Sequence, residues 1–461
     1  MRNMLIAFSL LGLCACTAGP DYVRPAAPVP VQDHWTVGYE AAADLANARW
    51  WRQFGDPVLD GLIEAAVREN LDLKVAAARV DQFLGLLDTT RSQYFPQISA
   101  NYTGGPQRQP DLPNESHQAT LNASWELDLW GRIRRSNEAV RAQIIGSEAG
   151  RRGVLVTLVA DVASGYLTLR GLDRQLEVTR ATEKAYAQSL GLFRLRFQHG
   201  TVSQLEVSQS ESQYEAARQS IPAYESQIRQ QENLIQVLLG RPPGPIPRGK
   251  SLNELTPPGI PAGLPSELLE RRPDILQAEQ ALVAANAQIG VAKAAYFPKI
   301  SLTGTLGVAS NEIGRLFAPG GDIWSAGGQV VAPLLTFGGL SGQVKQAEAL
   351  KQQAVFQYRQ AILTGFQEVE DALIKTTKGR EQLEAQGRQV RALEEYSRLS
   401  RLQFEAGTSN YLQVLDADRS LFSGRLAFNQ TQSDLLTAVV SVYKSMGGGW
   451  IAEADKLNPQ K

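Results

Sequence analysis

The chain is written twice. Tyr94-Phe95-Pro96-Gln97-Ile98-Ser99 returns 202 positions later as Tyr296-Phe297-Pro298-Lys299-Ile300-Ser301. Arg196-Phe197-Gln198-His199-Gly200-Thr201, then Leu205-Glu206-Val207, returns 207 positions later as Gln403-Phe404-Glu405-Ala406-Gly407-Thr408, then Leu412-Gln413-Val414. Two matches in the same order at nearly one offset read as two copies of one unit, so the fold carries an internal twofold repeat. Each copy reads helix, two strands, long helix, Gly-Thr turn, long helix.

Proline marks where the helices lie. None occurs from Asn114 to Ile221 or from Leu334 to Asn458, while Pro242, Pro243, Pro245, Pro247, Pro257, Pro258, Pro261 and Pro265 crowd between. Two long helical regions flank a proline-rich connector. Read as one helix, Arg132 to Phe197 spans about 100 Å at about 1.5 Å per residue. A compact domain of this chain length cannot contain that, so the helices argue for the wall of a tube. In the second copy Val390, Leu393 and Phe404 form one apolar stripe and Ala392, Tyr396 and Leu399 an adjacent one. Arg388, Arg391, Glu394, Glu395, Arg398 and Arg401 lie opposite. Two seams let a helix pack on a neighbour at each side; a two-stranded coiled coil needs one.

The strands have their own period. Leu121, Ala123, Trp125, Leu127 and Leu129 alternate with Asn122, Ser124, Glu126 and Asp128, and Ile300, Leu302, Gly304, Leu306 and Val308 alternate with Ser301, Thr303, Thr305 and Gly307. That is a strand with one apolar and one wet face, the pattern of a membrane barrel and also of a soluble sandwich. Two further candidates, Ile98 to Thr103 and Trp324 to Pro333, alternate less cleanly. Aromatic placement favours the membrane: Tyr94-Phe95 and Tyr296-Phe297 precede the first strand of each pair, and Trp130 and Phe337 close the second. Four strands cannot close a spanning barrel, which takes at least about eight, so several chains must share one.

The first residues read as a leader. Arg2 precedes an apolar run from Met4 to Ala15, and Leu13-Cys14-Ala15-Cys16 ends it. Two cysteines one residue apart are badly placed to bridge each other, and small residues before Cys16 fit a lipoprotein signal in which Cys16 becomes the lipidated N-terminus. After it no apolar run of about 18 residues is expected, so any further span is made of strands. Basic and acidic residues balance at 46 and 47, which gives no electrostatic case for nucleic acid. Three separated histidines and the absence of HExxH, GxSxG, GxGxxG or P-loop spacing argue against an enzyme, a metal site or any cofactor beyond the covalent lipid on Cys16.

At this point the sequence resembles the TolC-type outer membrane factor family, in its OprM-like lipoprotein branch that serves RND efflux systems. The resemblance runs from Cys16 nearly to the C-terminus. It rests on Cys16-Thr17-Ala18-Gly19-Pro20-Asp21-Tyr22, Trp50-Trp51 with Phe54-Gly55-Asp56-Pro57, Arg271-Arg272-Pro273-Asp274, the paired Tyr-Phe-Pro-X-Ile-Ser boxes, and Tyr443-Lys444-Ser445-Met446-Gly447-Gly448-Gly449-Trp450. It implies a mainly α chain with a membrane β-barrel: four strands and long paired helices per chain, and a homotrimer forming a 12-strand β-barrel plus a 12-helix periplasmic α-barrel. Its implied partners are a periplasmic adaptor (membrane fusion) protein, an inner membrane RND pump and outer membrane lipid.

The expected organisation is a signal peptide (1–15), a lipidated segment with the first tunnel helices (16–93) and a first β-hairpin (94–131). Long helices with a periplasmic tip near 197–206 follow (132–240), then the equatorial connector (241–273), a tunnel helix (274–295) and a second hairpin (296–337). Long helices with a tip near 404–413 (338–446) and an equatorial tail (447–461) complete it. By the resemblance, Phe197, Gly200, Thr201, Phe404, Gly407 and Thr408 contact the adaptor. Gly200 and Gly407 also suit left-handed helix ends. A gate is expected in 411–419: the family rings its constriction with an aspartate matching Asp416, and Arg419 stands at helical pairing distance from it. Asp418 and Leu412 complete the candidate set. Gln413 and Ser409 stand where the TolC pattern has an acid and an arginine, so an apolar constriction at Leu412 is the alternative to an acidic one. The implied function is the exit duct of a tripartite efflux pump for drugs or other small toxic compounds. A type I secretion duct and a pore-free periplasmic coiled-coil lipoprotein are the alternatives.

Overall fold

A computed structural model describes residues 17–25, 49–106, 115–259 and 268–448. The leader, Cys16, Trp450 and most of the tail lie outside the described residues. The chain divides into two compact units, residues 1–29, 76–150 and 274–361, and residues 30–75, 151–273 and 362–461.

The first unit is built on one antiparallel sheet of β1 (Gln97–Pro106), β2 (Glu115–Glu126), β3 (Lys299–Ser310) and β4 (Asp322–Val331), in that order. Register sets Ala100 opposite Leu121, Leu121 opposite Leu306, and Leu306 opposite Trp324. One face therefore carries Ile98, Tyr102, Leu121, Trp125, Leu302, Leu306 and Trp324, all exposed. The other carries hydroxyls and amides that bond one another: across strands Thr305 donates to Asn122 Oδ1 (3.0 Å), and along β2 Asn122 Nδ2 donates to Thr120 Oγ1 (3.1 Å).

The strand limits differ from the expected ones for local reasons. β2 stops before Leu127 and Leu129 because Asp128 turns to the next helix, accepting from the amides of Ile133 and Arg134 at 2.9 Å each. β4 stops at Val331 because Pro333 has no N–H to give and restricts the residue before it. Phe337 does not close a strand; it sits in the turn beyond, fully exposed, at φ 45°. Trp130 does lie at the sheet end, stacked on Phe297 with centroids 4.7 Å apart, its indole N–H on the Pro298 carbonyl (2.7 Å).

Residues 17–25 run as a strap within this unit. Ala18 N donates to Trp130 O (3.0 Å), Asn286 Nδ2 to Pro20 O (2.9 Å), and Tyr22 Oη to Glu279 (3.1 Å). Arg135 joins Asp21 (2.7 Å) and Glu138 (2.8 Å).

The helices are α1 (Pro57–Glu69), α2 (Leu71–Ser92), α3 (Arg132–Gln198), α4 (Gln204–Leu238), α5 (Pro273–Ala294), α6 (Gly339–Glu405) and α7 (Tyr411–Ser445). α3 and α6 are each 67 residues and α4 and α7 each 35. At about 1.5 Å per residue the longer pair measure about 100 Å.

The second unit has the larger core, formed by Trp50, Trp51, Phe54, Leu59 and Ile63 against Leu155, Val159, Val162 and Tyr166 of α3, Ile235 of α4 and Val439, Val440 and Tyr443 of α7. Trp50 stacks on Tyr443 at 4.9 Å. This corrects one expectation. α3 does contain an 18-residue window apolar enough to cross a membrane by composition, 61% of it buried; Leu155 to Leu169 of this helix spend their apolar surface on this core.

The signature residues are clamps. Asp56, 0% exposed, caps α1 by accepting from Val58 N (2.9 Å), and also accepts from Tyr166 Oη (2.8 Å) and Lys250 N (2.9 Å). Arg272 donates to Ser445 O (2.8 Å) and pairs with Glu368 (2.7 Å). Arg248 of the connector bridges Asp173 (3.0 Å) and Glu232 (2.5 Å).

Candidate gate and docking site at the helix tips

Both expected tips are turns between paired helices, and one motif builds each. After α3, Gly200 at φ 71° sends its N–H to Phe197 O (2.9 Å) and Thr201 sends its own to Arg196 O (2.9 Å). After α6, Gly407 at φ 74° bonds Phe404 O (3.0 Å) and Thr408 bonds Gln403 O (2.9 Å). This pair of bonds closes a helix through a left-handed residue, which glycine adopts without a Cβ penalty. The threonine adds a second bond, its hydroxyl reaching the carbonyl its amide already uses (2.9 and 3.0 Å). The next helices then start on side-chain caps: Glu206 accepts from Ser203 N (2.6 Å) and Asn410 Oδ1 from Gln413 N (3.2 Å).

Behind the turns the four helices share a small core of Leu190, Phe193, Val207, Tyr411, Val414 and Leu415, with Phe404 packed on it. Phe193, Phe404 and Tyr411 form a tilted aromatic trio with centroids 4.1 to 6.0 Å apart. Phe404 is thereby half-buried, whereas Phe197, its counterpart by sequence, is exposed.

The candidate gate residues separate into two kinds. Asp416 is exposed (51% of its side chain) and loosely held, 3.3 Å from Tyr396 Oη and 3.4 Å from Arg419 Nη2. Partial desolvation and the Asp416 charge push the Tyr396 hydroxyl above its ordinary pKa. Asp418 is only 11% exposed and committed within the chain, accepting from Ser397 Oγ (2.6 Å) and Arg401 (2.7 Å) of α6. Leu412 is 60% exposed. Asp416, Tyr396, Leu412, Gln413 and Arg419 line one groove of about 580 Å³. An exposed carboxylate with weak partners can exchange them at little cost, whereas Asp418 cannot leave Arg401 without uncovering a charge.

Sequence reasoning missed Ser397, Arg401 and Phe193. The stripe of Val390, Leu393 and Phe404 has buried Ser397 and Ser400 between its apolar members, at spacings of three and four, while the adjacent stripe leaves Leu399 exposed. Counting serine as compatible with a tight helix seam would have found the line. Arg401 read as part of the solvated face, and only the α6–α7 packing brings it to Asp418.

A four-strand sheet whose exposed face is apolar along its middle, with Glu115, His117, Ser310 and Asp322 at one end, in one chain with paired 67- and 35-residue helices ending in glycine-closed tips, fits a channel protein that spans a membrane by strands. The chain belongs to the outer membrane efflux protein family, whose model matches residues 62–241 and 264–448, and it is an outer membrane efflux channel. It is 37% identical over 476 residues to the toluene efflux pump outer membrane protein TtgC of Pseudomonas putida, covering 100% of this chain and 98% of TtgC. It is 34% identical to the cation efflux system protein CusC of Escherichia coli, covering 95% and 97%. Among solved structures it resembles the open state of the Neisseria gonorrhoeae MtrE outer membrane channel, with TM-score 0.83 and 31% identity over 94% of this chain and 99% of that one.

Proposed function

We propose that three copies of this chain assemble into one duct, a 12-strand barrel in the outer membrane and a 12-helix periplasmic tunnel, serving as the exit of a tripartite RND-type efflux pump. The observation that carries the reading is the sheet: among the described residues β1 and β4 each pair on one side only, and the exposed face is apolar along its middle. Unpaired backbone in hydrocarbon costs several kcal/mol per group, so the edges must meet strands of other copies. Twelve strands leave a lumen where eight fill with side chains, and the internally duplicated unit then presents six similar helix hairpins to a ring of adaptors.

In this reading the adaptor docks on the tips around Phe197, Gly200, Thr201, Phe404, Gly407 and Thr408. Asp416, with Arg419 and Leu412, lines the resting constriction, and Asp418 braces it through Arg401. Cys16 carries the lipid. Thr17, the next residue, lies against Gly131, where a Cβ would come within 2.5 Å of its Cγ2. The cargo is a drug or other small toxic compound; relatives named for toluene and for cations fit a duct whose substrate is chosen by the pump.

Deletion of the gene should raise susceptibility to small toxic compounds and leave the secreted proteins unchanged; loss of a secreted protein with unchanged susceptibility would refute the efflux reading. Asp416→Ala should raise the closed-state conductance of single channels in planar bilayers, and an unchanged conductance counts against the gate.

A further inference from the structure

The tip core is not filled. A partly open cavity of about 140 Å³ lies among the four helices, with Phe193, Phe404, Tyr411 and Val414 on its apolar side and Tyr186, Asp418, Arg401, Arg196 and Glu405 on its polar side. That is close to the roughly 150 Å³ at which an apolar protein cavity admits benzene. Tyr186 is 7% exposed and its hydroxyl has no hydrogen-bond partner among the described residues. Burying such a group leaves its desolvation uncompensated, which favours an occupant that accepts a hydrogen bond. Asp418 takes one bond on each carboxylate oxygen, from Ser397 and from Arg401. Each oxygen keeps a free lone pair for an occupant's O–H. Arg401 pairs with Asp418, and Arg196 and Glu405 add one charge of each sign to the lining, so the balance of charge favours a neutral occupant.

We propose that this cavity binds a neutral one-ring aromatic alcohol of the phenol class. The ring packs among Phe193, Phe404 and Tyr411, and the hydroxyl accepts from Tyr186 and donates to Asp418. Water alone satisfies the polar end and leaves the aromatic walls uncovered. The walls come from α3, α4, α6 and α7, so an occupant ties the two tip hairpins together and favours their packed arrangement. The site stands independently of the duct reading and would exist in any assembly of the chain.

The test uses the full-length protein in detergent with phenol as the probe, read by thermal unfolding and by saturation-transfer NMR on the phenol. Wild type should show a saturable rise in melting temperature. Tyr186→Phe should weaken binding about three- to tenfold, the equivalent of one hydrogen bond, and without phenol should be at least as stable as wild type. Val414→Phe, or Ser189→Leu should that variant fail to fold, should abolish the saturable response. No saturable response in wild type, an equal response in every variant, or a Tyr186→Phe protein less stable than wild type without phenol would each overturn the proposal.

Discussion

Replacing Asp56 by alanine tests how the second unit holds its connector. Asp56 is wholly buried and accepts from Val58 N, Tyr166 Oη and Lys250 N within 2.8 to 2.9 Å. A bond to a charged acceptor contributes about 1.5–3 kcal/mol, and loss of a helix cap alone costs about 1 kcal/mol. The three are not additive, and removing a buried charge returns part of the loss, so about 3 kcal/mol is the working figure for Asp56→Ala. The effect concentrates where Lys250 N is released, in the segment that carries Arg248 and Lys250. Limited trypsinolysis there reports local opening, since cleavage follows the open population when reclosing is fast. At about 1.4 kcal/mol per tenfold, cleavage at Arg248 or Lys250 should accelerate on the order of 100-fold. Tyr166→Phe removes one bond and should accelerate it several-fold, and the double variant should fall short of the product. Acceleration below about fivefold in Asp56→Ala would refute the clamp.

Gly407→Ala places a Cβ at φ 74° and should cost about 1 kcal/mol at the second tip, read as faster protease cleavage between α6 and α7; Gly200→Ala should do the same between α3 and α4. Phe193→Ala opens the tip core behind the aromatic trio and should cost about 3–5 kcal/mol, measured as earlier thermal or denaturant unfolding of purified protein. Burial pushes the Glu232 carboxyl up, but bonds from Arg248, the Ile246 amide and Arg229 outweigh it and hold its pKa below the usual carboxylate range. A depressed pKa stabilises the fold above the unfolded value and loses that contribution as pH falls through the folded value. Stability should therefore decline below about pH 4.5, and Glu232→Gln should be less stable at neutral pH with a shallower acid limb, checked by denaturant midpoints from pH 7 to 3.

Much of the architecture was legible because it rests on periodicity. The alternation in 121–126 and 300–308 marked β2 and β3, and the proline-rich connector marked where the first pair of long helices ends, although Pro222 lies inside α4. The weaker alternation at 98–103 and 324–333 goes with β1 and β4 lying at the sheet edges, where Gly104 and Gly328 leave gaps in the apolar face. The strand ends were not legible, because they depend on Asp128 finding two amides and on Pro333 having none to give. The tips were legible as glycine turns, since a left-handed residue leaves a residue-type trace. Their aromatic core was not, because Phe193 is far in sequence from Phe404 and Tyr411 and meets them only when two hairpins pack.

The candidate gate residues show the same division. Asp416 and Arg419 are three apart on one helix, and helical geometry alone brings them to 3.4 Å. Asp418 lies two residues from Asp416, carries the same side chain and has a different fate, because that step turns it toward Ser397 and Arg401 of the neighbouring helix. What the amino acids determined unaided were features with a local period or a local backbone demand: helix, strand, turn and the apolar face of the sheet. Which of two identical carboxylates is free and which is buried was decided by packing, since burial and ion pairing depend on the surface a neighbouring helix presents.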